Sequence, residues 1–163
     1  MTRSYLKWAG GKHRVADLLL EIVKNSPPFG IRWSVNSGER YHEPMLGSGS
    51  MFFRLASSDF IHSNKKSNLS DLNPILILTM KTLSKKKNMP KIIEILSDMQ
   101  EKYPEDKPHP NPRGQSKEVR EKRMFYMKRK RLNQLSKKID LLTDKEKIEL
   151  ACISIFLNKT CYN

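Results

Sequence analysis

The residues with the clearest chemical potential are two glycines and two carboxylates. Gly47 and Gly49 follow closely after Glu43, and Asp71 comes further along the chain. A Gly-x-Gly turn lacks Cβ atoms and therefore lets a ligand lie against the backbone beside a helix N-terminus. Glu43 would suit a cationic ligand group, and Asp71 would suit a ribose diol. Each motif alone is more typical of a surface turn or a helix cap, so their order along the chain matters more.

Two phosphate-binding motifs are excluded by their spacing. Gly11-Lys12 resembles the end of a P-loop, but Leu6 stands where that loop needs glycine, and His13 where it needs Ser or Thr. Gly47-Ser48-Gly49 lacks the third glycine of the dinucleotide fingerprint. Neither nucleoside triphosphate hydrolysis nor standard dinucleotide binding is therefore supported.

The spacing of apolar residues predicts the elements that would position these groups. A helix is predicted from residue 12 to residue 25, before a double proline. Residues 40–43 read as a strand that runs into the glycine loop and a helix over 51–56. A second strand is predicted to end at Asp71, and Asn73 to cap the next helix. This order predicts a βαβ unit.

The second half of the chain is predicted to be helical. A helix opens at residues 88–90, and a loop with four prolines follows over 103–114. Helical spacing returns over 116–135 and 144–157, and Thr143 begins a capping box. The predicted fold class is therefore α/β, followed by a helical region.

The charge points to a polyanionic partner. The chain has a formal charge of +14, and residues 61–163 hold 23 of its 31 basic side chains against 12 acidic ones. Residues 117–138 contain ten basic and two acidic side chains. Such a run is either a solvated helix face or a set of phosphate contacts, and the overall charge favours phosphate contacts. Four of its basic residues are consecutive: Lys128, Arg129, Lys130 and Arg131.

Composition also restricts the setting. There is no apolar run long enough for a membrane span and no secretory leader pattern, so a cytoplasmic location without a membrane partner is expected. Cys152 and Cys161 have no Cys-x-x-Cys spacing and no nearby histidine. We therefore expect no metal.

Three motifs occur in order along the chain, and two blocks follow them. The motifs are Leu6-Lys7-Trp8-Ala9-Gly10-Gly11-Lys12, Glu43-Pro44-x-x-Gly47-x-Gly49-Ser50 and Ser70-Asp71-Leu72-Asn73. The blocks are Phe125-Tyr126-x-x-Arg129-x-x-Leu132-Asn133 and Phe156-Leu157-Asn158-Lys159-Thr160-Cys161-Tyr162-Asn163. In this order they resemble the Dam-type, class alpha family of site-specific DNA adenine-N6 methyltransferases over essentially the whole chain.

The resemblance implies a methyltransferase that uses S-adenosylmethionine and duplex DNA, and no metal. It implies a partial Rossmann-like sheet over residues 1–87 and the start of a helical target-recognition region over 88–163. The residues implied to bind the cofactor are Trp8, Gly11, Lys12, Glu43, Gly47, Gly49 and Asp71. Lys7, Tyr162 and Asn163 are implied to meet DNA, together with the basic run Lys128–Arg131. Met45 departs from the family, which usually has Phe at this position.

No catalytic residue is assigned, because the family's Asp-Pro-Pro-Tyr tetrapeptide does not occur in these 163 residues. Ser26-Pro27-Pro28-Phe29 fits a related pattern, but it follows an amphipathic helix as ordinary helix-ending prolines do. We therefore expect the chain to be the N-terminal part of the enzyme and to be inactive alone. A second polypeptide would then supply the missing strands.

Two alternatives stay open. One is a non-catalytic basic module, or half of a split methyltransferase, that grips DNA without methylating it. The other is an RNA-associated basic protein, which would prefer an A-form duplex. The second alternative explains the charge but not the ordered motifs.

Overall fold

The computed structural model describes residues 6–7, 15–25, 41–57, 67–103 and 123–161. The chain divides into two compact units, residues 1–72 and residues 73–163.

The first unit contains a small parallel sheet. Its elements are α1 (Ala16–Asn25), β1 (His42–Glu43), α2 (Ser50–Ser57) and β2 (Asn68–Leu69). The strands pair in parallel, with His42 opposite Asn68 and Glu43 opposite Leu69. The predicted order of strand, glycine loop, helix and strand is confirmed, although β2 ends two residues before Asp71. The helices α1 and α2 pack together and bury Leu20 and Leu55.

The second unit is helical and is built around its last helix. Its helices are α3 (Pro74–Leu83), α4 (Met89–Lys102), α5 (Met124–Ser136) and α6 (Asp144–Thr160), with 3-10 turns at Lys86–Asn88 and Ile139–Leu141. The helix α6 packs against each of the other three. Its consecutive residues 150–153 are all fully buried. Because consecutive helical residues point in different directions, α6 is enclosed on every side at this level.

The helix starts follow their capping residues. The Asn73 side chain accepts hydrogen bonds from the Ile75 and Leu76 amides, as predicted. Thr143 and Glu146 form the predicted capping box at α6. Asn88 behaves differently, because its side-chain amide donates to the Thr82 carbonyl at 3.0 Å and makes no capping bond.

The division between the units differs from the boundary predicted between residues 87 and 88. The helix α3 packs against α6 and buries Leu76 and Thr79, so it belongs to the second unit. Local sequence places α3 after a strand, but it does not say which hydrophobic core the helix joins. None of the helices in the described ranges is long and apolar enough to cross a membrane.

A pH dependence follows from Glu146 at the start of α6. The Lys138 ammonium donates to its carboxylate, and the Thr143 amide and hydroxyl donate as well, which lowers the Glu146 pKa from 4.5 to about 2. A lowered pKa stabilises the folded state above the unfolded pKa, and this contribution is lost as the pH falls. We expect the free energy of unfolding to decline between about pH 4.5 and about pH 2.

Urea unfolding followed by circular dichroism at several pH values measures this decline. Glu146→Gln should make the free energy of unfolding decline less steeply over this pH range and should lower it near neutral pH. Glu101→Gln on α4 makes the same chemical change at an exposed position and serves as the control. Equal pH slopes for wild type and Glu146→Gln would contradict the prediction.

Candidate functional site

The candidate site lies where the two parallel strands end side by side. The Ser70 amide donates to the Glu43 carbonyl at 3.0 Å, and the Leu46 amide donates to the Ser70 carbonyl at 2.9 Å. These bonds continue the pairing past β2. The carboxyl ends of parallel strands share one edge of a sheet, so the segments after Glu43 and after Leu69 leave from the same edge.

A direct hydrogen bond joins the glycine loop to the second carboxylate. The Gly47 amide donates to Oδ2 of Asp71 at 2.8 Å. The two motifs are 24 residues apart in the chain, yet they are bonded to each other in the fold. The structure therefore brings together Asp71 and Gly47, which the sequence had assigned to one cofactor site.

The glycines are required by the backbone of the loop. Gly47 has φ 51° and Gly49 has φ 71°, both in the left-handed region that other residues rarely adopt. A Cβ atom at Gly49 would also lie 2.9 Å from the ring of Phe53. The Phe53 amide donates to the Gly49 carbonyl at 2.9 Å, which leads the loop directly into α2.

Two serines and a leucine of the glycine loop are buried and take part in its internal hydrogen bonds. Ser48 and Ser50 are buried, and their hydroxyl oxygens are 2.7 Å apart. The Gly49 amide donates to the carbonyl of Leu46, which is also buried. Met45, the departure from the family pattern, is 85% exposed, so its side chain contributes little to this packing.

Tyr41 orients the first carboxylate. Its hydroxyl donates to Oε2 of Glu43 at 3.0 Å, and its ring stacks on Phe52 with centroids 6.2 Å apart. Burial, together with the negative charge of Glu43, raises the Tyr41 pKa, so the phenol stays protonated as a donor. The sequence analysis assigned no role to Tyr41. Its i, i+2 spacing from Glu43, which puts both side chains on one face of a strand, was the available signal.

An open cavity of about 350 Å³ lies against the paired strands. Glu43 lines this cavity, whereas Gly47 and Asp71 do not. The cavity therefore borders one end of the predicted site and does not enclose the glycine loop. The lining residues are His42, Glu43, Pro44, Ser67, Asn68, Leu69 and Ser70.

The basic run on α5 divides between two environments. Arg129 and Lys130 are exposed. Arg131 instead forms a bidentate ion pair with Glu149 of α6. Its Nε donates to Oε1 at 2.8 Å, and its Nη2 donates to Oε2 at 2.7 Å. This guanidinium lowers the Glu149 pKa. Lys128 is half-buried and lies close enough to Glu149 for its charge to lower that pKa as well.

Several predicted site residues fall outside the described ranges. The Ser26–Phe29 tetrapeptide lies outside these ranges, and so do five of the predicted binding residues: Trp8, Gly11, Lys12, Tyr162 and Asn163. Lys7, in contrast, lies within them and is exposed.

Comparison with known protein families decides the family of this chain. The sequence model of the family described as "D12 class N6 adenine-specific DNA methyltransferase" matches residues 8–163. The chain belongs to this family. The resemblance inferred from the ordered motifs is thereby confirmed.

The D12-class chain is also similar to a curated methyltransferase. The Type II methyltransferase M.MjaIII of Methanocaldococcus jannaschii is 29% identical over 161 residues, which cover 99% of the chain and 46% of the relative. The chain therefore spans about half the length of this relative. No solved structure matches the chain.

A prediction concerns Gly49 in the D12-class loop. Gly49→Ala should lower the free energy of unfolding of the first unit by about 1–3 kcal/mol, because alanine disfavours φ 71° and its Cβ meets Phe53. Urea unfolding followed by tryptophan and tyrosine fluorescence measures the loss.

Gly49→Asn separates the two causes. Asparagine tolerates the left-handed region better than alanine, but it keeps the Cβ atom. A smaller loss for Asn than for Ala would assign the difference to backbone strain. Unchanged stability of Gly49→Ala would contradict the prediction.

Proposed function

We propose that the chain is the cofactor-binding part and the start of the DNA-recognition region of an S-adenosylmethionine-dependent DNA adenine-N6 methyltransferase. The whole protein would transfer a methyl group to adenine N6 in duplex DNA. Membership of the D12 class supports this activity. Within the chain, the observation that supports it best is the hydrogen bond between the Gly47 amide and the Asp71 carboxylate.

The residues at the strand ends fit the chemistry of this cofactor. S-adenosylmethionine carries a cationic amino group and a ribose diol, and when bound it supplies the methyl group. Two carboxylates, Glu43 and Asp71, leave from one sheet edge, which suits a cation and a diol, respectively. Positive φ at Gly47 and Gly49 permits a tight turn without Cβ atoms between them. Trp8, Gly11 and Lys12 are proposed to border the same pocket.

The work of the described residues is to hold the carboxylates in place. The Gly47 amide fixes one oxygen of Asp71, which restricts the rotation of that carboxylate. The protonated Tyr41 hydroxyl does the same for Glu43. Such orientation before binding reduces the entropy lost when a ligand is bound. Tyr41 is thus proposed as a positioning residue.

We further propose that the first unit is one part of a Rossmann-like sheet whose other strands come from the rest of the enzyme. Only two paired strands occur in the described part of the first unit. The division at residue 72 supports assigning cofactor binding to residues 1–72 and DNA recognition to the helical unit. A second polypeptide that supplies the remaining strands stays a proposal.

The methyl-transfer step is assigned to the whole protein and not to these residues. The catalytic tetrapeptide implied by the resemblance is absent from the 163 residues. The relative M.MjaIII is a type II methyltransferase. We therefore propose a role in sequence-specific modification of DNA, as in restriction-modification.

DNA binding is proposed for the exposed part of α5. Arg129 and Lys130 are exposed, so they are available to phosphates. Lys7, Tyr162 and Asn163 are proposed as further contacts. The ion pair of Arg131 with Glu149 supports a role for this residue in joining α5 to α6.

The cofactor proposal is tested at Asp71. Asp71→Ala should weaken binding of S-adenosylmethionine about tenfold or more, because hydrogen bonds to a charged acceptor contribute about 1.5–3 kcal/mol. Isothermal titration calorimetry measures the affinity. Asp140→Ala removes an exposed carboxylate from the second unit and should bind as wild type does. Equal affinity of the folded Asp71→Ala variant would remove Asp71 from the site.

The DNA proposal is tested on α5 by salt dependence. The double variant Arg129→Gln/Lys130→Gln should reduce the slope of log K against log salt by about 0.9 for each lost phosphate contact. Arg131→Gln should instead lower the midpoint of urea unfolding, because it leaves Glu149 without the guanidinium of its ion pair. Fluorescence anisotropy with a labelled duplex measures the slopes. The assignment fails if Arg131→Gln reduces the slope as much as the double variant does.

A further inference from the structure

A second basic segment lies at the turn between α3 and α4. Residues 74–93 contain five lysines and no aspartate or glutamate. One of them, Lys91, pairs with Glu94 at 2.6 Å. The remaining four are all exposed: Lys81, Lys85, Lys86 and Lys87.

The backbone of this turn is fixed by its own hydrogen bonds. The Asn88 side chain donates to the Thr82 carbonyl at 3.0 Å, and the Asn88 amide donates to the Lys85 carbonyl at 2.9 Å. The buried Thr82 hydroxyl donates to the Leu78 carbonyl. These hydrogen bonds therefore hold the backbone that carries the lysines in a defined arrangement.

The helices α4 and α6 pair some of their lysines with acids on the same helix. On α4, Lys102 pairs with Asp98 at 2.5 Å, and on α6, Lys147 pairs with Asp144 at 3.6 Å. Ordinary solvated helix faces mix charges in this way. The lysines at the α3–α4 turn are concentrated without local acids, so they repel one another. An anionic partner would offset that repulsion.

The turn and the basic run on α5 belong to the same compact unit. Both α4 and α5 pack against α6. The Cys152 thiol of α6 lies 3.9 Å from the Ile92 carbonyl, near the start of α4. The turn before α4 and the basic run on α5 are therefore both carried by helices that pack on α6.

We propose that Lys81, Lys85, Lys86 and Lys87 bind the phosphate backbone of duplex DNA, as a surface additional to Arg129 and Lys130. This inference rests on the DNA binding proposed above. A lysine ammonium acts as a point charge, so these contacts add affinity without reading bases. The turn would thus lengthen the stretch of duplex that the helical unit holds.

The test is the salt dependence of binding by the triple variant Lys85→Gln/Lys86→Gln/Lys87→Gln. Lys86 and Lys87 lie in the 3-10 turn, where successive side chains point about 120° apart, and Lys85 precedes the turn in an extended conformation. One or two of the three side chains can therefore face the duplex. The slope of log K against log salt should therefore fall by about 0.9 to 1.8. The reduction should be the same for duplexes of different sequence.

A control variant makes the same change in net charge elsewhere in the unit. Lys102→Gln/Lys145→Gln/Lys147→Gln removes three lysines that lie outside both basic segments. It should keep the wild-type slope. Circular dichroism checks that both variants retain wild-type helix content.

The outcomes separate this inference from the function on which it rests. A wild-type protein that binds no duplex overturns both proposals. If Arg129→Gln/Lys130→Gln lowers the slope but the lysine triple variant does not, only the inference about the turn is overturned. An equal reduction in the control also overturns it, because net charge alone would then explain the effect.

Discussion

The hydrogen bond from the Gly47 amide to the Asp71 carboxylate joins two segments that are far apart in sequence. It forms only because β1 and β2 are parallel, so that both chains leave the sheet at the same edge. The positive φ angles at Gly47 and Gly49 let the loop turn there and enter α2. Cofactor binding, as proposed here, depends on this arrangement, since it fixes one carboxylate and brings the second to the same edge.

The helical unit depends on a different constraint, which is the burial of α6 on all sides. Residues 150–153 are fully enclosed, so α3, α4 and α5 must each present an apolar face to this helix. The ion pair between Arg131 and Glu149 adds a polar link between α5 and α6. One member of the basic run therefore joins the two helices, whereas Arg129 and Lys130 are exposed and stay the proposed contacts to DNA.

Local sequence was sufficient for most of the element order and for the site motifs. Asn73-Pro74 and the Thr143 capping box are signals whose hydrogen bonds form within a few residues, and both are confirmed. The alternation of strand, glycine loop and helix is similarly local. The ordered motifs identified the family, which the family match over residues 8–163 confirms. The roles of individual residues in binding cofactor or DNA stay predictions.

The sequence by itself therefore determined the elements, their caps, the family and the positive charge, because each depends on neighbouring residues or on composition. Only the tertiary structure decided that α3 packs with α6, that the Tyr41 ring stacks on Phe52, and that Arg131 pairs with Glu149. The hydrogen bond from Tyr41 to Glu43 is local, whereas the stacking on Phe52 joins two separate elements. Packing and ion pairing between distant segments depend on which surfaces meet in three dimensions, and local spacing does not specify that.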